Sequence, residues 1–256
     1  MSRFVYAHRG GAALAPENTM AAFERGMAEG ADGLEFDVRL SRDGVPVVHH
    51  DPTLERTTDA RGPVSALTAD ELARVDAGSR FTDDAGRFVF RGQGIGVPTL
   101  DEVVRRFPSA RLIVEMKDDT EAIADAVVNV LRKADALDRA DIASFYARPV
   151  LEARRLGGGV RTGASQQEVR AALYAAWCGL SPRKPAYFGF QIPERAGRLR
   201  IVSRRFVRCV SRAGLSVAVW VVDDEAHMRR LLDWGVTGVI TDRPDIAVPL
   251  LKGLDR

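Results

Sequence analysis

Three acidic side chains stand where apolar, strand-like segments end, and they are the first candidates for chemistry. In GLEFDV (33–38) apolar and polar residues alternate, so Glu35 and Asp37 point to the same side of the predicted strand. Glu115 holds a comparable position in RLIVEMK (111–117). Carboxylates placed side by side repel one another, and a divalent cation removes that repulsion. Because the predicted ligands are all oxygen atoms, the expected ion is Mg²⁺ or Ca²⁺ rather than zinc.

An alternative is that these acids form ordinary ion pairs. Arg9, Arg39 and Lys117 are the cations that could neutralise them. This alternative gives no reason for the whole group to gather at strand ends, and we therefore favour the metal site.

Four histidines are candidates for proton transfer near neutral pH: His8, His49, His50 and His227. His8 ends the first strand-like segment, whereas His227 falls within a predicted helix and is expected to be structural or exposed. The Asp43–Gly44 turn folds the chain back and brings the adjacent histidine pair towards the acids. Neighbours in an extended strand point to opposite sides, so only one of the pair can face a metal, and the turn alone does not decide which.

The same ends of the predicted strands carry positive charge and one aromatic ring. Arg9 follows the first strand, Lys117 ends the third, and Trp220 lies near the end of the seventh. A divalent cation, two cationic side chains and two histidines suit attack on phosphorus, because positive charge stabilises the developing phosphate charge. The sequence contains no P-loop and no G-x-S-x-G motif, which argues against P-loop nucleotide hydrolysis and a serine-hydrolase elbow.

Eight strand-like segments position these side chains, and nearly all are followed by helix-like segments. The strands are predicted at 3–8, 33–38, 111–117, 141–145, 159–164, 186–192, 215–222 and 237–242. Such alternation predicts an α/β fold, the parallel (β/α)₈ TIM barrel, in which chemistry takes place at the C-terminal ends of the strands. A doubly wound open sheet is the competing architecture, but no glycine-rich dinucleotide motif follows the first strand.

The segment after the second strand breaks this alternation. Residues 52–99 are polar and rich in turn residues, with one short helix predicted at 68–76. We interpret them as an insertion within a single domain, 1–256, that covers the catalytic end of the barrel as a lid or substrate-recognition element.

Composition narrows the class of protein. The formal net charge is +2, with Lys and Arg scattered among acids, so no nucleic-acid partner is expected. The most basic segment, 198–212, predicts an amphipathic helix with a solvated basic face, and a surface for anionic lipid is the second interpretation.

Cys178 and Cys209 are expected to be buried free thiols. No apolar run reaches the ~18 residues of a membrane span, and the N-terminus lacks a signal-peptide core. A cytoplasmic location is therefore expected, with export by another route as the alternative.

Seven motifs occur between residues 7 and 245: AHRGG, PENT, LEFDVRLSRDGVPVVHHDPTLERTT, VPTLDEV, IVEMK, VAVW and ITDRPD. Together they resemble the glycerophosphodiester phosphodiesterase family. The resemblance implies a (β/α)₈ barrel with a segment inserted after the second strand. It also implies hydrolysis of small glycerophosphodiesters to sn-glycerol 3-phosphate and an alcohol, and it leaves the oligomeric state open.

The resemblance assigns roles to residues by their place in these motifs. The implied ligands of one divalent cation are Glu35, Asp37 and Glu115. The implied catalytic histidines are His8 and His50, which decides the choice left open at positions 49 and 50. Our hypothesis makes His8 the general base and His50 the general acid. Arg9 and Lys117 match phosphate-contacting residues, and Trp220 matches a pocket-lining tryptophan.

Two departures from the family pattern bear on the substrate. VWVVDD stands in place of the commoner VWTVN, so the pocket wall after Trp220 is expected to differ. Residues 173–182 are apolar enough for an acyl-chain groove or a membrane contact, although helix core is the first interpretation. A lysophospholipase D-type or phosphatidylinositol-phospholipase-like enzyme acting on lipid is therefore the alternative. A non-catalytic, degenerate barrel is disfavoured because every expected site position is filled.

Overall fold

The protein is built around a parallel β-sheet that curls into a nearly closed barrel. A computed structural model describes residues 3–254. Its strands, in chain order, are β1 (Phe4–His8), β2 (Gly33–Leu40), β3 (Pro46–Val48), β4 (Arg111–Met116), β5 (Ala140–Ala143), β6 (Arg161–Thr162), β7 (Gly189–Pro193), β8 (Arg195–Ala196), β9 (Leu199–Arg200), β10 (Ser216–Trp220) and β11 (Gly238–Thr241). Its α-helices are α1 (Met20–Ala28), α2 (Ala69–Leu72), α3 (Leu100–Arg106), α4 (Glu121–Lys133), α5 (Ala147–Arg155), α6 (Gln166–Trp177), α7 (Arg204–Ser211), α8 (Glu225–Asp233) and α9 (Pro244–Leu254).

Eight of the strands form the barrel in the order β6-β5-β4-β2-β1-β11-β10-β7. A parallel bridge between Gly163 and Gly189 joins the two ends of this order. The first and last strands of the chain, β1 and β11, are therefore neighbours. The predicted (β/α)₈ barrel is confirmed, and the open doubly wound sheet is wrong because its edge strands would not meet.

Alternation along β2 separates the core from the site. Leu34, Phe36 and Val38 belong to the buried layer between strands and helices, where Phe36 packs against Phe23 of α1 with ring centroids 5.4 Å apart. The polar residues between them point to the barrel interior. The same strand therefore stabilises the fold with one face and carries acids on the other.

The predicted hairpin after β2 is confirmed. β3 pairs antiparallel with β2, with Val48 opposite Val38, and Gly44 adopts a left-handed φ of +75° in the connecting turn. His49 N donates a hydrogen bond to Asp37 O at 3.0 Å. The returning chain is thus fixed beside the end of β2.

The segment between β3 and α3 has a small core of its own, built from Val47, Leu54, Val64, Leu72 and Val97. Its helix is shorter than the predicted 68–76. α2 begins after a capping box, in which the Thr68 and Glu71 side chains each bond to the other residue's backbone N–H, and it ends at Leu72.

The basic segment departs from its prediction. Residues 195–200 form the β8–β9 hairpin, with Gly197 at φ +57°, and α7 begins only at Arg204 after the Ser203 N-cap. The Ser203 cap ends any N-terminal extension of the helix, so 198–212 is not one helix. Cys209 is buried as expected, but Cys178 is exposed, which corrects that prediction. Within residues 3–254, no helix has both the length and the apolar character needed to cross a bilayer.

Candidate active site

The acid cluster predicted from the sequence forms at the C-terminal ends of β2 and β4. These strands pair in parallel with Asp37 beside Glu115, and Glu35 lies two positions earlier on the same face of β2. One carboxylate oxygen from each of the three acids lies within 4.8 Å of the other two. Asp37 is only 1% exposed. Three acids this close and this buried need compensating positive charge.

Two cationic side chains supply part of that charge. Lys117 Nζ lies 2.9 Å from Asp37 Oδ1 and 2.9 Å from Glu115 Oε1. Arg9 Nε lies 3.2 Å from Asp37 Oδ2. Burial alone would raise the pKa of Asp37, but Lys117 and Arg9 outweigh it and hold that pKa below its usual value. Asp37 is therefore an ionised carboxylate with strong partners.

The other two acids are less well compensated, and this fits a metal site. Burial raises the pKa of Glu35 and of Glu115. Glu115 Oε1 is buried, and no donor among residues 3–254 makes a well-aligned hydrogen bond to it, despite the nearby ammonium of Lys117. Arg39 pairs instead with Asp118, at 2.6 Å. Two carboxylates whose pKa is raised, within a cluster whose ligand atoms are all oxygen, suit a hard divalent cation, because its charge would keep them ionised.

His8 lies at the end of β1 and faces the acid cluster. Its Nδ1 is 2.7 Å from Asp242 Oδ1, and its Nε2 is 3.8 Å from Glu35 Oε2. Burial alone would lower the pKa of His8, but Glu35 and Asp242 outweigh it and raise the pKa. Sequence reasoning did not select Asp242 as a site residue, although its place in ITDRPD, directly after β11, was a usable signal.

The adjacent histidines point in different directions. His49 is buried, and its Nε2 lies 3.1 Å from the Thr53 carbonyl oxygen. His50 Nδ1 lies 2.6 Å from Asp51 Oδ1, and the charge of Asp37 acts on its ring. Burial lowers the pKa of both imidazoles. Of the two, His50 is the one that lies beside the acid cluster.

A chain of ion pairs joins His50 to the β1–α1 loop. Arg56 donates from Nε to Asp51 at 2.5 Å and from Nη1 to Glu17 at 2.7 Å. Glu17 also accepts from Arg9 Nη1 at 2.7 Å. Neither Glu17 nor Arg56 was predicted, although they occur in the PENT and LERTT sequences. Arg56 thereby connects the segment after β3 to both a histidine and a cation of the site.

A cavity of about 150 Å³ opens beside the acids at this end of the barrel. Glu35 and Glu115 line it, and its remaining wall is largely apolar apart from Ser144, Gln166 and Gln191. Trp220 lines it and packs edge-to-face against Phe145 with ring centroids 5.9 Å apart. Residues 173–182 do not line it. The cavity therefore offers both charged groups and a surface for an apolar group.

Comparison with known proteins gives the family. The profile of the Glycerophosphoryl diester phosphodiesterase family matches residues 8–246. A protein named Glycerophosphodiester phosphodiesterase, from Caldanaerobacter subterraneus subsp. tengcongensis, is 31% identical over 262 residues. That match covers 98% of this chain and 99% of the other protein.

Solved structures agree with the sequence relatives. The glycerophosphoryl diester phosphodiesterase domain of a Mycobacterium tuberculosis protein gives a TM-score of 0.85 at 26% identity, covering 96% of this chain and 98% of that one. A phosphodiesterase from Oleispira antarctica, solved in complex with the product sn-glycerol-3-phosphate, gives 0.78 at 26% identity, covering 100% and 98%. The chain therefore belongs to the glycerophosphoryl diester phosphodiesterase family of hydrolases.

Proposed function

We propose that the chain hydrolyses glycerophosphodiesters to sn-glycerol 3-phosphate and an alcohol. The observation that carries this proposal is the gathering of three carboxylates, two histidines and two cations at one end of the barrel. The product bound to the Oleispira antarctica phosphodiesterase supports glycerol 3-phosphate as the product here.

In this proposal Glu35, Asp37 and Glu115 hold one divalent cation, Mg²⁺ or Ca²⁺. When bound, the ion supplies positive charge that stabilises the charge developing on the phosphate. Arg9 and Lys117 contact the phosphate oxygens. Burial would lower the pKa of both side chains, but the neighbouring carboxylates outweigh it and raise the pKa, so both are cations at neutral pH.

The two histidines move protons in this proposal. Each has Nδ1 against a carboxylate, Asp242 for His8 and Asp51 for His50, which places the proton of a neutral ring on Nδ1 and leaves Nε2 for the substrate. His8 accepts the proton of the glycerol 2-hydroxyl as that oxygen attacks phosphorus. His50, carrying a second proton on Nε2, donates that proton to the departing alkoxide. Water then opens the resulting cyclic phosphate: His50 takes up a proton of the attacking water, and His8 returns its proton to the 2-oxygen as the bond from that oxygen to phosphorus breaks.

A lipid substrate is the second candidate, because the cavity wall is apolar. Phe145 and Trp220 are joined there by Ile192 and Ile201, which together suit an alkyl group better than a hydrated one. A lysophospholipid or a phosphatidylinositol-type lipid would place its headgroup phosphate at the acids. We rank this second because none of residues 173–182, the most apolar exposed part of α6 and its following turn, contributes to the cavity.

Glycerophosphocholine and lysophosphatidylcholine both release choline on this cleavage, so the rates of choline release from the two can be compared directly. Under the first proposal, glycerophosphocholine is turned over faster, with stoichiometric glycerol 3-phosphate. Faster turnover of lysophosphatidylcholine would favour the lipid-directed alternative. Phosphatidylinositol serves as the third substrate, followed by release of inositol or inositol phosphate. Each assay is repeated after chelation and after restoring Mg²⁺ or Ca²⁺ separately.

The remaining parts of the proposal concern organisation and location. We take residues 1–256 as a single domain with 52–99 as the insertion, acting as a lid or recognition element. The Arg56 contacts to Asp51 and Glu17 support that role, because they tie the insertion to the site. We propose a cytoplasmic location, in which Cys178 and Cys209 stay free thiols.

A further inference from the structure

Large apolar side chains are exposed together at the C-terminal end of α6. Tyr174 and Trp177 are 58% and 51% exposed, and their rings lie 5.3 Å apart. Leu180, in the turn that follows, is 59% exposed. Arg170 lies one turn before Tyr174 on the same helix face. Exposed aromatic and aliphatic groups gathered in this way mark a contact surface rather than ordinary solvated surface.

Cations from the following turn and from α7 surround this apolar group. A Cβ atom added at Gly179 would lie 3.5 Å from Arg205 Nη2, so the guanidinium covers the end of α6. Arg183, Lys184 and Arg212 line one groove together with Leu180. We call the whole surface, formed by Arg170, Tyr174, Trp177, Leu180, Arg183, Lys184, Arg205 and Arg212, the α6–α7 patch.

The two segments that contain the residues of this patch have no acidic residue. Residues 170–186 and 195–213 together contain ten Lys or Arg and no Asp or Glu. The rest of the chain holds the other 27 Lys or Arg together with all 35 Asp or Glu. Glu168 also lines the groove beside Leu180, but it pairs with Arg154 at 2.8 Å rather than with a cation of the patch. A rim this rich in cations around exposed aromatic rings has the composition of surfaces that lie at the headgroup level of a bilayer.

We propose that the α6–α7 patch docks on the anionic surface of a phospholipid bilayer. The cations attract acidic lipid headgroups, while Trp177, Tyr174 and Leu180 enter the boundary between headgroups and acyl chains. A second copy of the chain is a poor occupant, because it would present the same positive charge. A lipid surface satisfies both the charge and the apolar groups at once.

The docked orientation keeps the catalytic cavity open to water. Gln166 and Val169, at the start of α6, line that cavity, whereas Trp177 ends the same helix. The two ends of this helix lie about 17 Å apart. Docking therefore localises the enzyme next to membranes without placing its cavity on the lipid, and it is independent of the residues proposed for hydrolysis.

Vesicle co-sedimentation tests this docking. We expect the full chain to bind mixed vesicles made of equal parts of phosphatidylcholine and phosphatidylglycerol. It should not bind vesicles of phosphatidylcholine alone. Arg183→Gln with Lys184→Gln, and separately Trp177→Ala with Leu180→Ala, should each weaken binding about tenfold or more. Leu151→Ala is the matched control, because Leu151 is 58% exposed on α5 and belongs to a different surface. Turnover of glycerophosphocholine should be unchanged in all variants, which verifies folding.

Fluorescence of Trp177 gives a second measurement. Its emission should shift to shorter wavelength on adding the anionic vesicles, and Trp177→Phe should abolish that shift while Trp220 and Trp234 remain. Equal binding by the variants and the natural chain, or no anionic-vesicle binding at all, would overturn the proposal. So would tighter binding to duplex DNA than to vesicles, or a dimer that the same substitutions dissociate. None of these outcomes depends on whether the chain hydrolyses a diester.

Discussion

His8 Nδ1 lies 2.7 Å from Asp242 Oδ1, and this contact joins the end of β1 to the residue that follows β11. It exists because the barrel closes with β1 and β11 as neighbours, paired from Phe4 with Gly238 to Ala7 with Thr241. The contact fixes the orientation of the imidazole, so that Nε2 faces Glu35. The proton-transfer role proposed for His8 therefore depends on the closure of the fold.

Asp242→Asn should lower kcat about 10- to 100-fold, because the amide keeps the shape but loses the charge that supports His8. Asp242 contributes to the raised pKa of His8, so the pH–rate limb that depends on this ring should move to lower pH. Asp245→Asn is the control, since Asp245 pairs with Arg243 at 2.7 Å instead. An unchanged pH profile in Asp242→Asn would remove Asp242 from the mechanism.

His50→Ala should reduce glycerophosphocholine turnover at least about 100-fold while metal binding survives. If His50 is the general acid, His50→Ala should lose far less activity towards a p-nitrophenyl diester, because the p-nitrophenolate leaving group needs no proton. His8→Ala should lose activity on both substrates. His49→Ala is the matched control and should lower stability more than kcat, since His49 is buried against the Thr53 carbonyl. Near-normal turnover by His50→Ala would exclude it.

Arg56→Ala should lower kcat about tenfold by releasing Asp51 and Glu17, and with them the orientation of His50. Arg56 is a positioning residue, so the change should also appear in the pH profile, and Arg56→Lys should rescue part of it. Arg61→Ala, an exposed change in the same segment, is the control. A loss of stability with an unaltered pH profile would limit Arg56 to a structural role.

Asp141, which is remote from the catalytic end of the barrel, should make the stability of the fold depend on pH. Burial raises its pKa to about 6 from 3.8, even though Arg161 lies 2.9 Å away. Because the folded-state pKa is the higher one, its stabilising contribution is complete below the unfolded value and is lost as pH rises through 6. Asp141→Asn removes this loss. The difference in the free energy of unfolding, Asp141→Asn minus the natural chain, should therefore increase by about 2 kcal/mol between about pH 4.5 and 7.5, measured by urea denaturation. No pH-dependent difference would contradict the raised pKa.

Much of the site could be predicted because periodicity and strand order determine it. A period of two places Glu35 and Asp37 on one face, and parallel neighbours bring Glu115 beside them. The turn at Gly44 returns the chain to that point, as its sequence indicates. Local pattern was sufficient because each of these contacts lies within one strand, one hairpin or one neighbouring strand.

The missed contacts depend on long-range geometry. The pairing of His8 with Asp242 spans the barrel closure, and the pairing of Arg56 with Glu17 spans two loops that no local pattern relates. Cys178 lies in an apolar stretch, and only the packing of α6 shows that this stretch faces outward at its end. The amphipathic periodicity of 198–212 predicted one helix, but the structure has a hairpin at 195–200 and a helix that begins only after the Ser203 N-cap.

We propose that Glu35, Asp37 and Glu115 together hold one divalent ion that turnover requires. The most direct test measures glycerol 3-phosphate release by chelator-stripped protein while Mg²⁺ or Ca²⁺ is titrated back. We predict no release before addition and a saturable recovery at one ion per chain, with Glu115→Gln needing a much higher metal concentration. Undiminished hydrolysis by the stripped protein would contradict the account.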